Sequence, residues 1–236
     1  MDRATINTEF SNPNRRILLT GMMAIPLAGL SGCAAGGLGF DLTEAIKRLL
    51  SLSSQRAFAT LLQPNGFFDS NIAKIDLPPQ MGGQGATNIL SAILRSGPVR
   101  DRLVKQVNRA AEKGAEIAAP MVVQAISSIS IADAMGIIKG GPEAATSLLR
   151  ASMGDALLTN MIPGIDTGMK LFDNAVVQEA LRNATGIDLP GLVRDVSGKA
   201  ANGIYRAIGR EEAAIRADPR ATNDPLLIGV FTVAGL

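Results

Sequence analysis

Among its 236 residues the sequence has no histidine, no tryptophan, one cysteine and one tyrosine. Without an imidazole the chain lacks the side chain that titrates near neutral pH, and with it the usual general base and the commonest metal ligand. A Ser-His-Asp triad, a Cys-His dyad and the ordinary zinc sites are therefore excluded within one chain. The single thiol, Cys33, has no intrachain disulfide partner. Any catalysis would fall to Asp, Glu, Lys, Ser, Thr or Tyr205, and no motif implies a cofactor. Aromatics are scarce, with seven Phe and one Tyr, so a core must be built from Leu, Ile, Val, Ala and Met. That composition favours closely packed helices over an aromatic-rich β-sandwich. Net charge is only +2, and Arg3, Arg15 and Arg16 of the first segment contribute to it. The remainder of the chain has no basic excess to release counterions and few rings to stack bases, which argues against nucleic-acid binding.

The N-terminal region carries an export pattern. Arg15-Arg16 precedes an apolar run from Ile17 to Leu27, broken by Thr20, Gly21 and Pro26, and Leu30-Ser31-Gly32-Cys33 closes the segment. The run is well short of the ~20 residues that span a bilayer, and small residues come after it as in a cleaved signal. Leu30–Cys33 resembles a bacterial lipobox, in which the Cys thiol accepts a diacylglyceryl group. An ordinary apolar helix with a chance cysteine is the plainer alternative. Arg15-Arg16 with Leu18-Leu19 also resembles a twin-arginine signal, although Thr20 stands where Lys is common. The general and the twin-arginine routes both stay open. The expectation is a signal peptide over residues 1–32, a tether over 33–40 containing Ala34-Ala35-Gly36-Gly37, and a helical domain over 41–236. Acyl chains on Cys33 would hold the protein at the periplasmic face of a bacterial membrane, each buried methylene contributing ~0.8 kcal/mol.

Beyond the tether the punctuation is helical. Asp41-Leu42-Thr43-Glu44 reads as a capping box opening a helix that carries Leu42, Ile46, Leu49, Leu50, Phe58, Leu61 and Leu62, with Gly66 at its end. Phe67 to Gly85, with Pro78-Pro79 and three Gly, reads as a long extended loop pinned through Ile72, Ile75 and Leu77. A second helical block spans about Ala86 to Ser128, broken at Gly97-Pro98 and ended or kinked at Pro120. Asp133 opens a short helix closed by Gly140-Gly141, and Pro142 sits where the next helix would start. Pro163-Gly164 reads as a further break, with helix from Ile165 to Ala184 after it and a last long helix from about Leu192 to Ala217. Asp224-Pro225 starts a short apolar segment. No stretch alternates as a strand does. The fold class is all-α, a single compact domain of six to eight helices.

Five stretches resemble one family. Asn108-Arg109-Ala110-Ala111-Glu112, Asp133 to Ile138 and Ala144-Ala145-Thr146 with Leu149-Arg150 are similar to a family of bacterial envelope proteins catalogued as domain of unknown function 4197. Phe67 to Pro78 looks like the family's loop, with Ser70-Asn71 and Asp76 departing from its Asn-Pro and first Pro. Glu211-Glu212 with Ile215-Arg216 and Asp218-Pro219 looks like its Glu-Glu-x-x-Ile-Arg-x-Asn-Pro signature, while Phe231-Thr232-Val233 runs past its usual end. The resemblance implies a helical, exported or lipid-anchored protein, and supplies no catalytic residues.

Candidate sites are few. Arg109–Glu112 and Glu212–Arg216 read most simply as pairs on a solvated helix face, each contributing ~0.2–0.5 kcal/mol. The functional alternative gathers Asn108, Arg109, Glu112, Arg150, Asp155, Glu212 and Arg216 around one polar cleft. Asp155, on a mainly apolar helix, is expected to face inward and pair with an Arg. The Gly82-Gly83-x-Gly85 and Gly140-Gly141 stretches read as turns, and Met121, Met135, Met153, Met161 and Met169 as core fillers. Three functions remain: a non-catalytic envelope protein binding a partner protein, a carrier of a lipid or other apolar ligand, and a hydrolase using two carboxylates ~5–10 Å apart.

Overall fold

A computed structural model describes residues 41–77, 96–170, 178–179, 182 and 188–233. The expected signal peptide, Cys33, the tether and the glycines at 82–85 lie outside the described residues. Residues 39–236 form one compact unit. Seven α-helices and one 3-10 turn have their bounds within the described residues, which contain no strand.

Asp41 caps α1 (Leu42–Leu61) by accepting the Glu44 N–H at 3.0 Å. Glu44 does not reach back as a full capping box would; its carboxylate takes Arg48 Nε at 2.9 Å instead. Ala45, Ile46, Leu49, Leu50, Ala57, Phe58 and Leu61 form the buried stripe. Past α1 the chain turns at Gly66, where a Cβ would lie 2.5 Å from the Leu61 and Thr60 carbonyl oxygens, so only glycine fits.

The second helix, α2 (Gly97–Ser128), begins at Gly97-Pro98, so this pair starts a helix that it was expected to break. Proline suits the first turn, where its missing N–H has no intrahelical partner. Pro120 does not end α2, nor does Pro163 end α5 (Ala156–Gly168). Both prolines and the residues four positions earlier, Glu116 and Thr159, lie on the outer side of the body, so the carbonyls left unpaired meet water. Between these helices lie α3 (Ala134–Ile138), capped by Asp133 accepting Gly136 N–H at 2.7 Å, and α4 (Ala144–Met153). Helix α4 starts two residues later than Pro142 implied. The long helix α6 (Leu189–Ala217) begins at Asp188, which accepts the Gly191 N–H, with Pro190 in its first turn. A 3-10 turn (Pro219–Thr222) leads to α7 (Pro225–Val233).

The core is one cluster in which α6 packs between α1 and α5, and α2 lies most extensively along α5. Small residues set the distance in the α2–α5 pair. A Cβ on Gly164 would lie 2.6 Å from the Lys113 carbonyl oxygen, and one on Gly168 would lie 2.6 Å from Ala110 Cα. Phe67, Phe231, Met153, Met161 and Met169 fill the interior, whereas Met135 is exposed and fills nothing. Among the described residues no helix is long and apolar enough to cross a membrane.

Candidate functional site

The seven residues expected around one polar cleft fall in four places. Asn108 is fully buried on α2 and binds main chain: Oδ1 accepts the Ile75 N–H at 2.9 Å, and Nδ2 donates to the Ile75 and Val104 carbonyls. The loop segment through Ile75 and Leu77 is thereby held against the body, and both side chains are buried.

Glu212 and Arg216 are not a solvated pair. Glu212 is 0% exposed, because Ile204, Ile208 and Ile215 share its face of α6 and carry it into the core. Its Oε1 accepts from the Ala145 N–H at 3.0 Å and from Arg216 Nε at 2.9 Å. Its Oε2 accepts from the Thr146 N–H and the Thr146 hydroxyl, both at 2.7 Å. The carboxylate thus satisfies donors at the N-terminus of α4 that no intrahelical carbonyl reaches, where the helix dipole also favours negative charge. Arg216 meanwhile donates to the Ile138 and Ile137 carbonyls at the end of α3 and lies 4.9 Å from the centre of the Phe231 ring. One ion pair clamps α3, α4 and α7 onto α6. Both oxygens of the Glu212 carboxylate are thus taken up by protein donors.

Arg109 and Glu112 line a shallow cleft of about 280 Å³ with Asn65, Gln106 and Lys113. Burial pushes the Glu112 carboxyl above the usual range, while backbone N–H groups of Phe67 and Asn65 and the charge of Arg109 pull it back. Its Oε1 is buried without a hydrogen bond. No second carboxylate lines this cleft.

Arg150 and Asp155 line a larger cleft, about 530 Å³, between α4, the start of α5 and α6. Asp155 is exposed, not inward-facing, and forms no ion pair with Arg150. It lies in the turn after α4, where Gly154 adopts φ 51° and exposes the chain to solvent. Arg150 donates to Asn202 Oδ1 at 2.6 Å and lies 5.4 Å from the centre of the Tyr205 ring. Tyr205 is 5% exposed, and its hydroxyl is buried with no hydrogen-bond partner. Burial pushes the phenol above its ordinary pKa, partly opposed by Arg150. Asn202 and Tyr205 are not among the expected site residues. The readable signal is that the chain's sole tyrosine lies one turn past an Asn, in a small-residue stretch of a long helix.

A third cleft, about 600 Å³, lies beside the end of α1 and is lined by Asp69, Asn71, Arg210 and Glu211 among others. It holds two carboxylates, neither of them among the expected site residues. Among the described residues no group of three or more acidic or thiol side chains is gathered as a metal would require.

The family described as "Protein of unknown function (DUF4197)" matches residues 39–232. No curated protein and no solved structure matches the chain.

Proposed function

The chain belongs to the DUF4197 family of proteins of unknown function, and from that premise we propose that it is a lipid-anchored protein of the bacterial envelope that works by binding, not by bond-breaking. The observation supporting binding is the state of the polar groups. The most buried carboxylate, Glu212, is consumed by the fold, while Arg150, Asn202 and Tyr205 line an open cleft and the buried Tyr205 hydroxyl has no partner. Arg, Asn and Tyr beside small apolar residues are the groups of a recognition surface. A lipid carrier is less favoured, because the clefts described open to the surface and the core between the helices is filled by buried side chains. The paired-carboxylate reading keeps one specific support, Asp69 and Glu211 in the same cleft.

The anchor reading rests on Leu30-Ser31-Gly32-Cys33 at the end of a short apolar run. Acylated Cys33 would tether the helical body a few residues from the membrane after export by the general or twin-arginine route. Cys33→Ser is expected to move the protein from the membrane to the soluble fraction of disrupted cells; unchanged fractionation would overturn the anchor. For binding, the intact lipidated protein is expected to retain specific partners or ligands in affinity capture read by mass spectrometry. Turnover of a hydrolysable substrate that is abolished by Asp69→Asn or Glu211→Gln would overturn the non-catalytic reading.

A further inference from the structure

The Arg150 cleft has unmet bonding capacity of a definite kind. A guanidinium carries five N–H donors in a planar fork. Arg150 uses one contact, to Asn202 Oδ1, and is exposed without an ion-pair partner. That contact occupies the Asn202 carbonyl and leaves its amide N–H groups as further donors. Beneath the guanidinium lies Tyr205, whose buried hydroxyl has no partner. An orphaned buried hydroxyl is unfavourable, and a ligand oxygen would satisfy it. Arg150 and Asn202 line the cleft, and with the buried Tyr205 hydroxyl they make three donors, one of them cationic and fork-shaped, the complement of a carboxylate.

A negative group, Asp155, lines the same cleft and is itself exposed without an ion pair. Apart from Ser147, the remaining lining is aliphatic or glycine, with Ala151, Leu157, Leu158, Gly198 and Ala201 among it. A Cβ at Gly198 would meet only Leu158 Cδ1, at an ordinary contact distance of 3.5 Å, so the floor is open there and can take a small aliphatic side chain. The volume of about 530 Å³ lies within the ~300–1,000 Å³ usual for small-ligand sites.

We propose that this cleft binds an α-amino carboxylate with a short aliphatic side chain, either free or as the C-terminal end of a peptide. The carboxylate sits between Arg150, Asn202 and the Tyr205 hydroxyl, the ammonium or amide end faces Asp155, and the side chain rests on Ala151, Gly198 and Ala201. This assignment rests on the binding reading of the protein and names the chemistry of one site within it.

Because the chain has one tyrosine and no tryptophan, tyrosine emission reports this cleft alone. Titrating the detergent-solubilised full chain with dialanine is expected to change that emission saturably. Dialanine amide, which lacks the carboxylate, is expected to bind about tenfold more weakly, as is dialanine to Arg150→Gln. Tyr205→Phe, monitored by calorimetry, is expected to bind dialanine several-fold more weakly, with unchanged helical circular dichroism in both variants. Tighter binding of alanine than dialanine would identify the free amino acid as the source, and the reverse order a peptide end. The proposal is overturned by any of three results: no saturable response to either probe, equal affinity for dialanine and its amide, or inorganic phosphate binding as tightly as dialanine. If it falls while the lipidated protein still captures a partner that Arg150→Gln does not release, the general binding reading stands without this site.

Discussion

Replacing Glu212 with Gln tests whether one buried carboxylate organises the far half of the helical body. The substitution keeps the shape and removes the charge. It also presents an amide N–H₂ to donors that now meet oxygen: Thr146 N–H and hydroxyl at 2.7 Å on one side, or Ala145 N–H and Arg216 Nε at 3.0 and 2.9 Å on the other. Either orientation of the amide loses two acceptor contacts. It also leaves Arg216, whose side chain is 8% exposed, without a counter-charge. Hydrogen bonds involving a charged group contribute ~1.5–3 kcal/mol each, and breaking one side of a buried ion pair costs ~3–5 kcal/mol. The two figures describe the same loss, so the expected cost is ~3–5 kcal/mol, a large fraction of the ~5–15 kcal/mol that holds a typical domain together. For a domain of this size that is a fall in Tm of roughly 6–20 °C. The assay is urea unfolding of the full chain monitored by circular dichroism, with Thr146→Val as the milder member of the series, expected to lose about 1.5–3 kcal/mol through its one hydroxyl bond to the carboxylate. A double-mutant cycle of Glu212→Gln with Arg216→Met should show strong coupling, because each single change strands the other partner. A loss below about 1 kcal/mol for Glu212→Gln, or an additive cycle, would refute the clamp.

The packing and the charges set two further outcomes. Gly164→Ala is expected to cost about 1–3 kcal/mol in urea unfolding, since its Cβ would meet Lys113 main chain at 2.6 Å and force α2 from α5; Gly141→Ala, with nothing within 4 Å, is the control expected to lose nothing. Burial raises the native Glu112 carboxyl pKa above its unfolded value. The native state therefore holds this proton more tightly, and the group's contribution to stability is lost as pH rises from the ordinary carboxylate range through the raised value. Glu112→Gln should flatten the stability–pH curve across that window and leave the protein at least as stable as wild type at neutral pH; an unchanged curve would refute the assignment.

The helical character and most boundaries are legible in the sequence because they depend on local chemistry. Asp41 and Asp133 announce caps by residue type and position alone, and the loop residues Ile75 and Leu77 announce burial by interrupting a polar stretch. Prolines mislead where the deciding fact is tertiary. Whether Pro120 and Pro163 break a helix depends on whether the carbonyl four residues back meets water, and sequence does not state which face is outward. Helix α6 starts three residues before its expected position for a related reason: Pro190 looks like a barrier, yet the first turn accepts it. Glu212–Arg216 shows the limit most sharply, since an i,i+4 pair has the same spacing on either face of a helix. The stripe Ile204, Ile208, Glu212, Ile215 carries the correct answer, and the charge of Glu212 masks it. The Arg150 cleft is half legible. Its Arg and Asp are near in sequence, whereas Asn202 and Tyr205 reach it only because α6 packs against α4 and α5.

Asn108 grips both the N–H and the C=O of residue 75, as a neighbouring β-strand would, though it is a single side chain on a helix. The contact is blind to which amino acid occupies position 75, because it reads only the peptide groups on either side of it. The loop is therefore addressed by place and not by identity: its register on α2 is set by two main-chain bonds, and its side chains are left to meet whatever the packing demands. The exposed positions of the loop can then drift without the loop coming adrift, provided that position 75 keeps an N–H to offer and that 73, 75 and 77 keep side chains that fit the core.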